Sequence, residues 1–170
     1  ISLNPLRHID IGGLVMMAIF HFGWAKPVPV DMRRFRNRRA GMALTALAGP
    51  VSNVILAFLA LVCLALCNLF LPQTTPVDYV SYFFLYTAIL SAGLAVFNLF
   101  PIPPLDGSKV LFAFLPDRAY AWLMRYERYG FILLYILLFA DVLDTPLTFL
   151  RTGLLDGLSA VVSSLIGLFV

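Results

Sequence analysis

The residues best placed to do chemistry crowd into one short stretch. Pro101, Pro103 and Pro104 occupy three of four positions and are followed at once by Leu105, Asp106 and Gly107. Proline fixes φ, removes an N–H donor and pushes the residue before it towards extended backbone. The run therefore ends any helix entering it and presents Asp106 on a stiff turn. Apolar residues resume at Val110, which sets the carboxylate at or just inside the boundary of an apolar layer. An ionisable group at that depth is a functional candidate by default, because leaving it buried and unpaired is costly. It equally suits an N-cap, accepting from the backbone amides of a short helix over 108–115.

Other polar residues gather near it in the chain order. Asn98 lies eight residues earlier, where it either helps to end a helix or offers its amide, both donor and acceptor, to an extended backbone alongside. Gly49-Pro50-Val-Ser-Asn53 falls inside an apolar run. Proline there frees a backbone carbonyl, and Asn53, three residues on, shares its side of the helix; a kinked membrane helix with a hydrogen-bonded Asn is the ordinary alternative. The only histidines, His8 and His21, are thirteen residues apart and form no i, i+4 pair, a weak metal signal. Cys63 and Cys67 sit one turn apart in an apolar run with no His or second Cys pair nearby, so they read as packing residues.

The elements that must hold these groups are membrane helices. Only 12% of the 170 residues are charged while 61% are hydrophobic, against roughly 25% and 45–50% in ordinary globular domains. A chain this short cannot hide so much apolar surface from water, which excludes a soluble enzyme, a disordered tail and a nucleic-acid binder. Charge-poor stretches predict about four spans, over 42–71, 79–100, 129–143 and 154–170. Residues 11–25 are apolar but too few for an upright crossing. With the alternating prolines of Lys26-Pro-Val-Pro-Val30 they predict a re-entrant segment leading into an edge strand over 11–30. The fold class expected is an all-α polytopic membrane protein with that one exception. Lys26, Arg33, Arg34, Arg36, Arg38 and Arg39 precede the first long span, and Lys109, Arg118, Arg125 and Arg128 follow the second. The turn between those spans carries neither Lys nor Arg, so both basic segments are expected to face the cytoplasm.

Asn98-Leu-Phe-Pro-Ile-Pro-Pro-Leu-Asp-Gly107 closely resembles the second signature of the site-2 protease family, the zinc-dependent intramembrane metalloproteases. Asn4-Pro-Leu-Arg-His-Ile-Asp10, Phe22-Gly-Trp-Ala-Lys-Pro-Val-Pro-Val30 and Ala48-Gly-Pro-Val-Ser-Asn53 resemble segments that the bacterial branch carries in this order. The resemblance implies that zinc is held by Asp106 together with two histidines of a His-Glu-x-x-His helix, whose glutamate activates the zinc-bound water. It implies that Asn98 holds a substrate backbone extended and that Asn53 lies close to the site. Pro101 and Pro103 would line the same substrate path, and Val28 and Val30 would offer an edge strand to the unwound peptide. The partners implied are membrane-embedded protein substrates and the lipid bilayer, in a bacterial cytoplasmic membrane.

The pattern is broken at one place. Glu127 is the only glutamate in the sequence and no His-Glu-x-x-His occurs in it. The 170 residues thus hold one of three zinc ligands and no general base, and are expected to be inactive alone, as a piece that begins just after the catalytic helix. The alternative is a non-catalytic relative that keeps the fold to bind transmembrane helices. A transporter component is a third reading, weakened because the polar residues gather at one end of the spans and no inverted repeat is visible.

Overall fold

A computed structural model of the chain describes residues 9–20, 35–72 and 74–167. Among these the only regular elements are six helices: α1 (Ile11–Phe20), α2 (Arg38–Phe70), α3 (Thr75–Leu99), α4 (Asp106–Ala113), α5 (Asp117–Phe139) and α6 (Asp144–Ile166). The chain divides into two units, residues 1–35 and 36–170. In the first, Asp10 starts α1 by accepting from the Gly13 N–H at 3.1 Å, so the apolar segment at 11–20 is helical. The edge strand expected over 26–30, with Val28 and Val30, lies outside the described residues, as do His8 and His21.

The second unit is built on α2 and α3. Asn37 caps α2, its side-chain oxygen accepting from the amides of Arg39 and Ala40, which fills donors that a helix start leaves without partners. α3 opens with Pro76 in its first turn and Asp78 beside it, proline and a carboxylate both suiting a helix N-terminus. The pair packs through small residues. On α2 the buried positions Ala46, Pro50, Ala57 and Ala60 recur at alternating spacings of four and three when Asn53 is included, and on α3 Ala88, Ser91, Ala92 and Ala95 fall at i, i+3, i+4 and i+7, one face of the helix. Small side chains let backbones approach closely, which matters in lipid because apolar burial gives no drive for helices to associate there. Near the turn between the helices the Ser81 hydroxyl donates to Asn68 Oδ1 at 3.5 Å.

Among the described residues three helices are long and apolar enough to cross a membrane: α2, α3 and α6. Most of their large side chains face outward, among them Leu44, Leu59, Phe83, Leu90 and Phe149, as a lipid-facing surface requires. α2, at 33 residues, is about 50 Å long, well beyond the roughly 30 Å hydrocarbon layer. Its Arg-bearing start therefore projects beyond the apolar layer. The apolar part of α5 is confined to Tyr129–Phe139, about 17 Å of helix and short for a crossing. α6 starts at Asp144, ten residues before the span expected at 154–170, and so carries Arg151 and Asp156 within its length.

A small core at one end ties these parts together. Leu105, Leu134 and Leu143 are buried against one another, with Phe97, Phe100, Ile102, Leu137, Leu138 and Leu147 packed around them. The Pro-rich segment is thus anchored by its own apolar residues to the end of α3, the second half of α5 and the start of α6.

Candidate active site

Asp106 is the first residue of α4, not its cap. The N-cap is Leu105, with extended φ −68° and ψ 153° and no side-chain cap bond. The Asp106 carboxylate accepts no backbone N–H among the described residues, so the capping explanation open in the sequence is not what the structure adopts. Its Oδ1 instead receives the Lys109 ammonium at 3.2 Å. Its Oδ2 points to α2, where a Cβ placed on Gly49 would lie 3.5 Å away. Glycine at 49 therefore leaves room for a carboxylate against the helix backbone. The side chain is about one-third exposed (34%), accessible yet held on two sides.

Several local features fix that position. The Ser108 hydroxyl, fully buried, donates to the Leu105 carbonyl at 2.7 Å, and the Leu105 N–H donates to Ile102 O at 2.9 Å. Gly107 is buried where any Cβ would collide with the backbone of Leu99 and Phe100, so α4 starts hard against the end of α3. Gly130 plays the same part for α5, because a Cβ there would collide with Pro103. At the far end of α4 the Arg39 guanidinium donates to the Leu115 carbonyl at 3.1 Å, tying α4 back to the start of α2.

The asparagines lie at the same end. Asn98 is half-buried in the last turn of α3, and Asn53 is half-buried on α2. Fifteen residues separate Asn53 from Asn68, and seventeen separate Asn98 from Ser81, the two residues bonded near the turn. At 1.5 Å per residue the two asparagines sit within about 3 Å of each other along the axis of the helix pair. Neither side chain makes a hydrogen bond among the described residues. α3 closes instead through the Phe100 N–H to Phe97 O, so Asn98 is not spent on ending its helix. Pro50 is fully buried and, lacking an N–H, leaves the Ala46 carbonyl without its helical donor.

These groups can do specific things. One carboxylate oxygen, two uncommitted amides and a freed carbonyl offer one hard ligand for a cation and both donors and acceptors for an extended peptide. They do not make a metal centre unaided: among the described residues no three His, Cys, Asp or Glu side chains come together to hold an ion. The sequence reading had singled out Asp106, Asn98, Asn53, Pro101 and Pro103, and the structure brings Asp106 to α2 at Gly49, one residue from Pro50. It gave no part in the site to Lys109, Gly107 or Arg39. The i, i+3 spacing of Asp106 and Lys109 was the available signal for the first.

Comparison with known proteins gives matches of one kind. Residues 70–140 match the sequence profile of Peptidase family M50. Over 142 residues, 81% of this chain, the sequence is 37% identical to a protein of Bacillus subtilis (strain 168) named "Putative zinc metalloprotease YwhC". The chain spans 64% of that relative's length. No solved structure matches significantly.

Proposed function

Since the chain belongs to peptidase family M50, we propose that it forms the body of a zinc intramembrane endopeptidase, which hydrolyses peptide bonds of membrane-embedded substrates near the cytoplasmic face. The observation that carries this reading is the placement of Asp106. It stands behind three prolines, in the first turn of α4, with one oxygen turned to α2 at Gly49. In this reading Asp106 supplies one zinc ligand. The two histidines and the glutamate of a His-Glu-x-x-His helix belong to the protein outside these 170 residues, and the 170 residues alone hydrolyse nothing. Zinc, when held by the full set, would lower the pKa of bound water and polarise a scissile carbonyl.

The chain's own residues have a different task. A transmembrane helix hides each carbonyl in an i→i−4 hydrogen bond, so it must be unwound before any bond in it is attacked. Asn98 and Asn53, half-buried with their amides uncommitted, are placed to hold the unwound backbone by giving and taking hydrogen bonds. The stretch from Pro101 to Pro104 is stiff and closed into a turn by the Leu105 N–H to Ile102 O bond, and so would form one wall of the path without having to be ordered first. Val28 and Val30 are proposed as further contacts for the unwound peptide, through strand addition. The basic residues ahead of α2 and beyond α3 support an orientation in which this end of the bundle meets the cytoplasm.

The test is Asp106→Asn in the complete protein, assayed on a membrane-embedded reporter substrate. Cleavage should fall more than about a hundredfold, beyond what losing a residue that merely supports a ligand costs, with membrane insertion unchanged. Turnover at the wild-type rate overturns the proposal. The absence of His-Glu-x-x-His from the sequence favours a second reading, a non-catalytic membrane protein that binds transmembrane helices. That reading requires the complete protein to bind no zinc and to be indifferent to chelators.

A further inference from the structure

We propose that the groove between α3 and α6 is a binding site for an anionic phospholipid, whose phosphate sits on Arg151. The groove encloses about 280 Å³, room for roughly nine waters at 30 Å³ each. Its walls are Leu90, Leu94, Phe97 and Leu147, and its polar side chains are Thr148 and Arg151. Leu90 and Leu94 are exposed, so the groove opens outward, where a bilayer meets it. Apolar walls of this kind do not hold a water cluster, but an acyl chain matches them.

Arg151 gives the site its sign. It is the eighth residue of α6, about 10 Å from the helix start and therefore below the surface of the apolar layer. It forms no hydrogen bond or ion pair with any described residue. Asp156, the acidic residue nearest to it on α6, is five positions on, about 140° around the helix, and so faces away. The methylene stem of Arg151 lies along α3 where glycine makes space: a Cβ on Gly93 would be 3.6 Å from Arg151 Cδ. This is how a long cationic side chain buries its stem while its head reaches for polar partners. A guanidinium left unpaired at membrane depth is expensive, and its planar fork suits the oxygens of a phosphate better than a point charge does. A phosphodiester with its acyl chain in the groove satisfies the head and the walls together. Gly93 and Phe97 lie in the last two turns of α3, so the lipid would sit at the same end of the bundle as Asp106.

The experiment uses the chain purified in a neutral detergent, with phosphatidylglycerol or phosphatidylcholine of identical acyl chains added, and reads lipid retention by native mass spectrometry. Phosphatidylglycerol should be retained about tenfold better, as expected for one charge-assisted contact. Arg151→Leu should bring the ratio to about one, with far-UV circular dichroism unchanged. Gly93→Leu keeps the Arg151 charge but fills the groove and pushes the arginine stem aside, and should lose both lipids, which keeps the test decisive if the first variant does not fold. Equal retention of the two lipids by the wild-type chain, or full retention by Gly93→Leu, overturns the proposal. Displacement of phosphatidylglycerol by millimolar inorganic phosphate overturns it too, in favour of a site for a soluble anion.

Discussion

Replacing Gly107 with alanine tests how α4 is seated. Gly107 is buried, and a Cβ built on it falls inside the backbone of Leu99 and Phe100, closer than real Cβ atoms approach anything. A flexible side chain could swing aside, but two backbone carbonyl groups at the end of α3 cannot, so α4 must withdraw and take Asp106 with it. Forcing a methyl group into a packed site costs about 1–3 kcal/mol, and a backbone collision belongs at the upper end. Alanine regains about 1 kcal/mol over glycine in a helix, leaving a net loss of about 2 kcal/mol. The control is Gly157→Ala in α6, where nothing lies within 4 Å of the new Cβ and the same chemical change should gain about 1 kcal/mol. The two variants should thus differ by about 3 kcal/mol, roughly a hundredfold in the ratio of folded to unfolded protein. Reversible unfolding in mixed micelles, followed by far-UV circular dichroism, measures this directly. If Gly107→Ala falls within about 0.5 kcal/mol of Gly157→Ala, the close seating of α4 on α3 is refuted.

Three further outcomes follow from the same geometry and can be read in the same unfolding assay. Leu105→Ala empties the centre of the core beneath the Pro-rich segment and should cost about 2–5 kcal/mol. Asn37→Ala removes the side-chain acceptor from the first amides of α2 and should cost about 1 kcal/mol, with Asn37→Ser recovering most of it. Lys109→Ala breaks an ion pair whose two side chains are both about one-third exposed (31% and 34%). Screening by solvent leaves such a pair worth under about 1 kcal/mol, so stability should hardly move, and a loss above about 2 kcal/mol would mean that Lys109 supports α4 in some other way.

Some of this architecture is legible in the sequence because single residues dictate it. Proline at 101, 103 and 104 ends α3 and delays the next helix until Asp106, wherever the helices lie. Gly49 and Pro50 announce a place where α2 admits a neighbour, and the neighbour turns out to be the Asp106 carboxylate. The start of α6 was not legible, because hydropathy read along the chain stops at a charge. Arg151 looks like a break in a span until Gly93 on another helix is seen to give its stem a place to lie, and that is a contact across 58 positions. α5 was cut at Tyr129 for a related reason: its first half is charged and its second apolar, so composition divides what the backbone continues as one helix. The close approaches at Gly107 and Gly130 were invisible because glycine records a collision avoided and leaves no pattern in spacing. The family resemblance carried the roles of Asp106 and the asparagines further than residue chemistry alone did, and the profile match over residues 70–140 extends that likeness through α5.

The hydrogen-bonding arithmetic of residues 100–105 has a consequence for whatever lies beside them. Pro101, Pro103 and Pro104 have no N–H, and the amides of Phe100 and Leu105 are spent inside the segment on Phe97 and Ile102. Ile102 holds the one remaining donor. An ordinary strand edge gives and takes in alternation, but this turn almost only takes. Two copies of the turn laid together therefore have little to exchange. A visiting chain must arrive with its own N–H groups free. An intact helix has none to offer along its middle, and a proline in the visitor leaves a gap at its position. If the proposed substrate path runs along this segment, conformation is read there before any side chain.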